Sequence, residues 1–476
     1  MTKLDLNFDV IVIGSGVGGA LAANRILKKG KSVLLLEAGN SFSKKETIAV
    51  SLFKNYWNGG VLPLFGPFTC PFGEAKVFGG GSVINGALVW NLPDKVRKKW
   101  SDLLPGSVFN SSEWFENEQK INNELGVSSE HSSYHYGNQA SKLLAQEAIN
   151  QNIDVVRVPR AVNDCKNFNR CGSGCTSDAK NTVDKIFLKD HPHLHIEKNA
   201  IVYKIKKSKY GWTVKYIHKN QKKNISAKKV VLAAGATESA NILRKSNLSI
   251  KAGKYFQFHI NFKVLAKFKL SIEAENGTIL THQIQEYMDE GILMMSSNHT
   301  KSYLASSLAY LTIKNFKEYI KSSDSIGIYT VQIRPDVKAS INNFFGQTFG
   351  FWKWSNESFL RTKKGIEILG KLLLDAGAEE IILPLKNNKN IIKDKNELVT
   401  SLQKSNENEL IGVSVHGMSA CKMGNSPENS VVDLNGQVWG HDNLYVFDSS
   451  ILPTNTGESP QGTILNTVDL LLKKWK

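Results

Sequence analysis

The stretch DVIVIGSGVGGALAANRILKKGKSVLLLE, residues 9–37, decides how this chain folds. Residues 9–13 are almost continuously apolar, as a strand buried on both faces of a parallel sheet must be. Gly14, Gly16 and Gly19 then open an alanine-rich segment that predicts a helix to about Lys29, and a Gly30-Lys31 turn leads to a second strand over residues 32–36. A glycine triplet alone is a weak signal, but strand, triplet, helix and strand in this order are a strong one. The first glycine permits a tight turn, the second lets the backbone approach a pyrophosphate, and the third lets helix and strand pack closely. The helix N-terminus favours the anion. Glu37 ends the second strand, placed to accept hydrogen bonds from ribose hydroxyls. The unit predicts a doubly wound dinucleotide-binding sheet and does not choose between NAD and FAD.

Working outward, residues 229–234 read as another buried strand, closed by Gly235 and followed by a helix over 237–245. Residues 194–207, 211–217 and 443–447 read as strands, and 111–125, 139–151, 358–376 and 460–474 as helices. Residues 41–78, rich in Gly, Pro and aromatics, read as a wrapping loop. Alternating patterns at 262–270 and 326–334 predict an antiparallel sheet. Parallel-sheet signals at both ends with antiparallel ones between predict an α/β chain whose nucleotide domain is discontinuous. That domain covers 1–100, 196–250 and 411–476. An inserted α+β substrate domain on an antiparallel sheet covers 101–195 and 251–410.

The 476 residues carry a net charge of +17. The excess is lysine, whereas readers of phosphate and bases favour the arginine fork. The lysine clusters therefore read as solvated faces, and no nucleic-acid partner is expected. No run of about 18 apolar residues occurs, so no membrane span is expected. The first residues lack the features of a signal peptide, which points to the cytoplasm. Five cysteines, an odd number, do not suggest a disulfide framework.

Four further segments carry a resemblance. GGGSVING (79–86), VVLAAGATESA (230–240), HGMSACKMG (416–424) and LYVFDSSILPTNTGESPQGTI (444–464) resemble, in order, signatures of the glucose–methanol–choline (GMC) family of FAD-dependent oxidoreductases. The resemblance implies that the doubly wound, Rossmann-like domain binds FAD. Gly14, Gly16, Gly19 and Glu37 would hold adenosine and pyrophosphate, with Gly80, Ala234 and Gly235 in the neighbouring nucleotide-contacting turns. Val202 would meet the adenine, and Asp448 the ribityl–pyrophosphate region. Asn85, Gly86 and Ala87 would lie near the isoalloxazine. Residues 79–86 contain no histidine that could tether the flavin, so non-covalent FAD is expected.

The resemblance implies an alcohol oxidoreductase in which hydride leaves a CH–OH carbon for flavin N5 and His416 is the general base. An imidazole suits this because its pKa lies near operating pH; the plain alternative is a core histidine. Ser459-Pro460 reads as a helix cap and first-turn proline. Gln461, Gly462 and Thr463 would present N–H groups to the reduced flavin. Relatives usually have Asn or His, the second polar partner to the substrate oxygen, where this chain has Ser459, so Ser459 is a second catalytic-site candidate. Its hydroxyl can hydrogen-bond there but cannot serve as a base. The alternatives are that His416 works with less help, that another residue fills the gap, or that Ser459 is only the cap. Many relatives also have arginine where this chain has Asn91. His131, His135, His191, His193 and His195 read as surface residues.

Cys165, Cys171 and Cys175 crowd into one short loop, which suits a metal or an iron–sulfur cluster; the alternative is a structural thiol or zinc-bound loop. The spacing resembles the cysteine loop of GMC sugar dehydrogenases with a 3Fe-4S cluster. In those relatives a second cysteine stands where this chain has Lys166. The expected enzyme is a dehydrogenase acting on a polyol, sugar or similar small-molecule alcohol, passing electrons to an acceptor protein or quinone. The alternatives are a long-chain or aromatic alcohol oxidase using O2, or an FAD-containing lyase on the same scaffold.

Overall fold

The computed structural model describes residues 8–131, 137–209, 211–278, 280–297, 299–311, 316–386 and 390–475. The opening stretch forms strand Phe8–Ile13, helix Val17–Lys28 and strand Val33–Leu36. Every residue of Val33–Leu36 is buried, which is why that run is wholly apolar. Five segments lie parallel in the order Leu194–Glu197, Val33–Leu36, Phe8–Ile13, Gln221–Leu232, Leu444–Val446. Gln221–Leu232 belongs to two arrangements. Its first part pairs antiparallel with Gly211–His218, which pairs with Ala200–Ser208, and its last part joins the parallel ladder.

Residues 194–207, expected as one strand, are two. Asn199 takes a left-handed φ of 55° and turns the chain between them, a conformation Asn tolerates better than most residues. Helix Gln461–Lys474 packs beside Val17–Lys28, where Arg25 Nε meets Asp469 Oδ1 at 2.6 Å.

The second sheet is antiparallel throughout and has eight strands among the described residues, centred on Ile260–Phe268 and Ile326–Ile333. Helix Asn356–Asp375 covers one face; a Cβ at Gly365 would stand 2.7 Å from Val331 Cγ1. His259, Asn261 and Lys263, alternating with Ile260, Phe262 and Val264, turn to the other face, as do Thr330 and Gln332 opposite them. Asn261, Lys263, Thr330 and Gln332 of that polar half line an internal cavity.

Residues 41–78 are more ordered than the sequence suggests. They contain helix Ile48–Lys54, capped by the Thr47 side chain, and strands Leu62–Phe65 and Cys70–Phe72. These strands complete a four-stranded sheet with Val337–Phe344 and Gln347–Trp354. Trp352 Nε1 donates to the carbonyl of Leu64 at 3.1 Å, across 288 residues. A partner that far away leaves no mark on a local window, and the flanking prolines mask the strands further. Among the described residues no helix is long and apolar enough to cross a membrane.

Candidate active site

One cavity of about 720 Å³ runs from Glu37, past the glycine turns, to His416 and Glu458. At its nucleotide end Gly14 holds φ 101°, and a Cβ there would stand 2.2 Å from the carbonyl oxygen of Ala233. Gly80, at φ 57°, faces Gly16 so closely that its Cβ would lie 2.5 Å from Gly16 Cα. Two glycine turns thus meet with bare backbone, leaving space for a chain of phosphates beside the N-terminus of Val17–Lys28. Gly19 is packed away from the cavity, where its Cβ would stand 2.0 Å from the carbonyl oxygen of Gly14. It serves helix–strand packing, as the motif requires.

Glu37 is buried; its carboxylate accepts from Ser15 N and Oγ and from Gly39 N, while desolvation pushes its pKa up. Val202, Ala234 and Gly235 line the same stretch of wall. Asp448 accepts from Gly235 N at 3.0 Å and Ser239 Oγ at 2.5 Å through one oxygen, and from Ser450 through the other. Desolvation raises its pKa too. Glu74, buried against Thr237, is pushed up to about 8, first by desolvation and further by the nearby charges of Glu238 and Asp448.

Farther in, Asn85 Nδ2 donates to Gln461 Oε1 at 2.7 Å, and its Oδ1 accepts from Ala87 N, which holds the turn with Ala87 at φ 61°. The bond ties the second glycine segment to the start of helix Gln461–Lys474. Gly86 and Gln461 line the cavity, whereas Ala87, Gly462 and Thr463 are buried behind its wall; Gly462 packs on the carbonyl of Trp90. The first N–H groups of that helix have no acceptor within the helix itself. Ser459 lines the cavity but is not the cap. Pro460 is already helical, and its carbonyl accepts from Ile464 N, so Ser459 stands one residue too early and makes no capping bond.

His416 lines the same end of the cavity, and desolvation lowers its pKa to about 4, so its imidazole is neutral near pH 7. Its Nδ1 lies 3.2 Å from Nδ1 of His259, a fully buried ring kept neutral by desolvation and by the positions of His416 and Arg334. His259 Nε2 in turn lies 3.0 Å from Gly457 N. A backbone N–H can only donate, so His259 Nε2 accepts and its Nδ1 carries the hydrogen. His416 Nδ1 is then an acceptor, and its own hydrogen sits on Nε2, the atom left for the cavity. The resemblance implies a base at 416; this chain of bonds makes the resting ring a hydrogen-bond donor.

Next to Gly457, Glu458 lines the cavity while 3% exposed. Its Oε1 accepts from Gln283 Nε2 at 2.5 Å and Gln285 Nε2 at 3.0 Å. Those bonds favour the carboxylate, but desolvation outweighs them and pushes its pKa up to about 8. Across the sheet, Lys263 Nζ donates to Ser297 Oγ and Thr330 Oγ1 at 2.7 and 2.6 Å. His259, Lys263, Glu74 and Glu458 escaped the sequence reading. The signal for the first two was the polar half of the alternation around residue 262.

The three cysteines line one small pocket but form no metal-ligand group. Among the described residues no group of three or more His, Cys, Asp or Glu side chains is placed to hold a metal, so the 3Fe-4S expectation is not supported. Two of the thiols have local partners instead. Arg160 Nη2 donates to Cys171 Sγ at 3.5 Å, and Cys175 Sγ lies 3.3 Å from Ser177 Oγ. Buried Lys180 stands beside Cys171 and Cys175 and donates to the carbonyls of Val83, Asn85 and Cys171, fastening the cysteine loop to the second glycine segment. His191, His193 and His195 are exposed, but His131 is half-buried, with Nε2 2.9 Å from the carbonyl oxygen of Arg160. His135 lies outside the described residues.

Paired glycine turns, buried acids and a neutral histidine along one cavity define a dinucleotide-binding oxidoreductase fold. Residues 52–261 and 352–467 match the family GMC oxidoreductase, and residues 9–53 match an FAD binding domain. The chain belongs to the GMC oxidoreductase family. It is 26% identical to long-chain-alcohol oxidase FAO3 of Arabidopsis thaliana over 96% of its own length, and spans 66% of that protein. It is 24% identical to the GMC-type oxidoreductase y4nJ of Sinorhizobium fredii, covering 98% of this chain and 94% of that one. Among solved structures, pyridoxine 4-oxidase from Mesorbium loti superposes with a TM-score of 0.74 at 14% identity, over 98% of this chain and 99% of the other.

Proposed function

We propose that this protein oxidises a small-molecule alcohol with non-covalent FAD, and that O2 accepts the electrons. The likeness to proteins named long-chain-alcohol oxidase and pyridoxine 4-oxidase supports an oxidase. The dehydrogenase expectation leaned on a cluster for which no metal-holding group is found among the described residues. Residues fit FAD along the whole cavity: bare glycine backbone at the turns, Glu37 at one end, and the start of helix Gln461–Lys474 at the other. Bound FAD supplies the hydride acceptor. Five free cysteines suit a reducing, cytoplasmic setting.

The observation that carries the chemistry is the chain from Gly457 N through His259 to His416. His416 Nε2–H donates to the substrate oxygen and fixes the carbinol in the cavity. Glu458, on the residue after Gly457, takes the hydroxyl proton once ionised. Gln283 and Gln285 hold its carboxyl in place. The test is anaerobic stopped-flow absorbance of the FAD-loaded protein mixed with a panel of primary alcohols. Bleaching of the flavin bands by one of them is expected, slowed in both His416→Ala and Glu458→Gln. A flavin that no alcohol bleaches sinks the reading, and turnover without bleaching would indicate a lyase.

A further inference from the structure

The four-stranded sheet adjoins the cavity mouth, where the lining residues Val61 and Val415 are exposed, and has an outer face unlike an ordinary solvated one. Its inner face buries Leu64, Ile341 and Trp352. On the outer face Phe351 lies opposite Phe65 and beside Phe349, with ring centroids 5.6 to 6.5 Å apart. The hairpin joining Val337–Phe344 to Gln347–Trp354 ends in Phe344 and Phe345, whose rings touch each other at 4.4 Å. Phe345 is 90% exposed and Phe344 65%. Phe345 also holds φ 47°, a left-handed conformation that costs a bulky residue of the order of 1 kcal/mol. The two-residue turn Phe345-Gly346 requires positive φ at both positions, and the sequence places a bulky aromatic ring there in water.

The same apolar surface runs to the cavity. Val61 leads directly into strand Leu62–Phe65, and Pro71 pairs with Pro63 on the neighbouring strand. Val61, Pro71, Leu52 and Val415 all line the cavity, and Phe53, beside Leu52, is 76% exposed. Charge marks the border. Lys338 and Lys353 face one another at the far end of the hairpin, both exposed, and the outward positions of the hairpin strands hold no carboxylate. Neither lysine has an ion-pair partner among the described residues. The chain as a whole carries +17.

The geometry points to docking of this face on an anionic phospholipid bilayer. Phe344, Phe345, Phe351 and Phe65 enter the interface while Lys338 and Lys353 reach phosphate headgroups, and the cavity mouth opens against the lipid. Aromatic rings gain by leaving water for the acyl boundary, and each lysine near an anionic surface adds attraction that salt weakens. An extended apolar patch with a basic border is the pattern such a surface calls for. Docking stands apart from the alcohol reading; the inference that lipophilic alcohols enter from the bilayer rests on it.

The test sediments the FAD-loaded protein with vesicles of phosphatidylcholine, alone or mixed with phosphatidylglycerol. Co-sedimentation is expected with the anionic vesicles at low salt, lowered about tenfold in the Phe344→Ser/Phe345→Ser double variant and weakened by Lys338→Glu/Lys353→Glu. Flavin content and the bleaching rate with a water-soluble alcohol should not change, which separates a docking defect from a folding or catalytic one. Wild-type protein that stays in the supernatant with both vesicles overturns the proposal. So does a double variant that pellets like wild type, or light scattering showing a dimer that the double variant dissolves, since the face would then belong to a second copy.

Discussion

His259 and His416 meet through their Nδ1 atoms, 3.2 Å apart, with rings almost perpendicular, and the backbone N–H of Gly457 decides which carries the hydrogen between them. The relationship converts His416 from a ring with two equivalent choices into one with a set direction. Replacing His259 by Phe removes that setting without touching the substrate. His416 can then move its hydrogen to Nδ1 and leave Nε2 bare. Flavin reduction is expected to slow by about tenfold to a hundredfold, with an altered pH profile. An unchanged profile would show that His259 only fills space.

Burial pushes the Glu458 carboxyl up to about 8, outweighing its hydrogen bonds from Gln283, Gln285 and the Ser459 backbone. If it accepts the hydroxyl proton, the rate of flavin reduction rises with pH and levels off above about 8. Glu458→Gln should cost roughly 10² to 10⁴ in rate and flatten that rise. A variant that keeps the parental rise would assign the ionisation elsewhere.

Glu74 gives a stability prediction of opposite sense to a paired surface acid. Its folded pKa, about 8, lies above its ordinary value of 4.5. The folded state therefore binds more protons than the unfolded one between those values, so the contribution is complete below 4.5 and is lost as pH climbs to about 8. The thermal midpoint should fall over that window, and by less in Glu74→Gln.

Gly80→Ala places a Cβ 2.5 Å from Gly16 Cα on a backbone at positive φ. The two turns must separate, and the phosphate cradle opens. The variant is expected to purify with little flavin, read as the ratio of absorbance in the flavin band to that of the protein.

Lys180→Met would leave the buried carbonyls of Val83, Asn85 and Cys171 without their shared donor. A loss of about 2 to 4 kcal/mol is expected in urea unfolding. Intact stability would mean that the loop repacks around the new side chain.

The nucleotide end was legible because its signal is local. Strand, glycine turn, helix and acid follow one another within residues 9–37, and each has a composition set by its own backbone. The histidine end was only half legible. The resemblance supplied His416, but His259 lies 157 residues away and becomes meaningful only when the strands Gln257–Phe258 and Gly417–Met418 pair. The alternation around residue 262 was visible, yet a polar position facing a cavity and one facing solvent look alike in sequence. Ser459 was misplaced by a single residue, because an N-cap is fixed by which carbonyl starts the helix and not by residue type alone. The cysteines misled for a related reason: spacing along the chain does not fix where side chains point, and Arg160 and Ser177 gave the thiols other partners.

The ion pair between Arg25 and Asp469 joins residues 444 positions apart, and strand Leu444–Val446 completes a ladder begun at Phe8. A growing chain therefore exposes its glycine turn long before the wall that faces it exists. Until residues 444–472 emerge, the apolar flank of Val17–Lys28 has no cover and the nucleotide has half a cradle. Cofactor capture waits for residues 444–472, and a ribosome that stops before them releases a protein carrying the whole fingerprint for a dinucleotide and no means of keeping one.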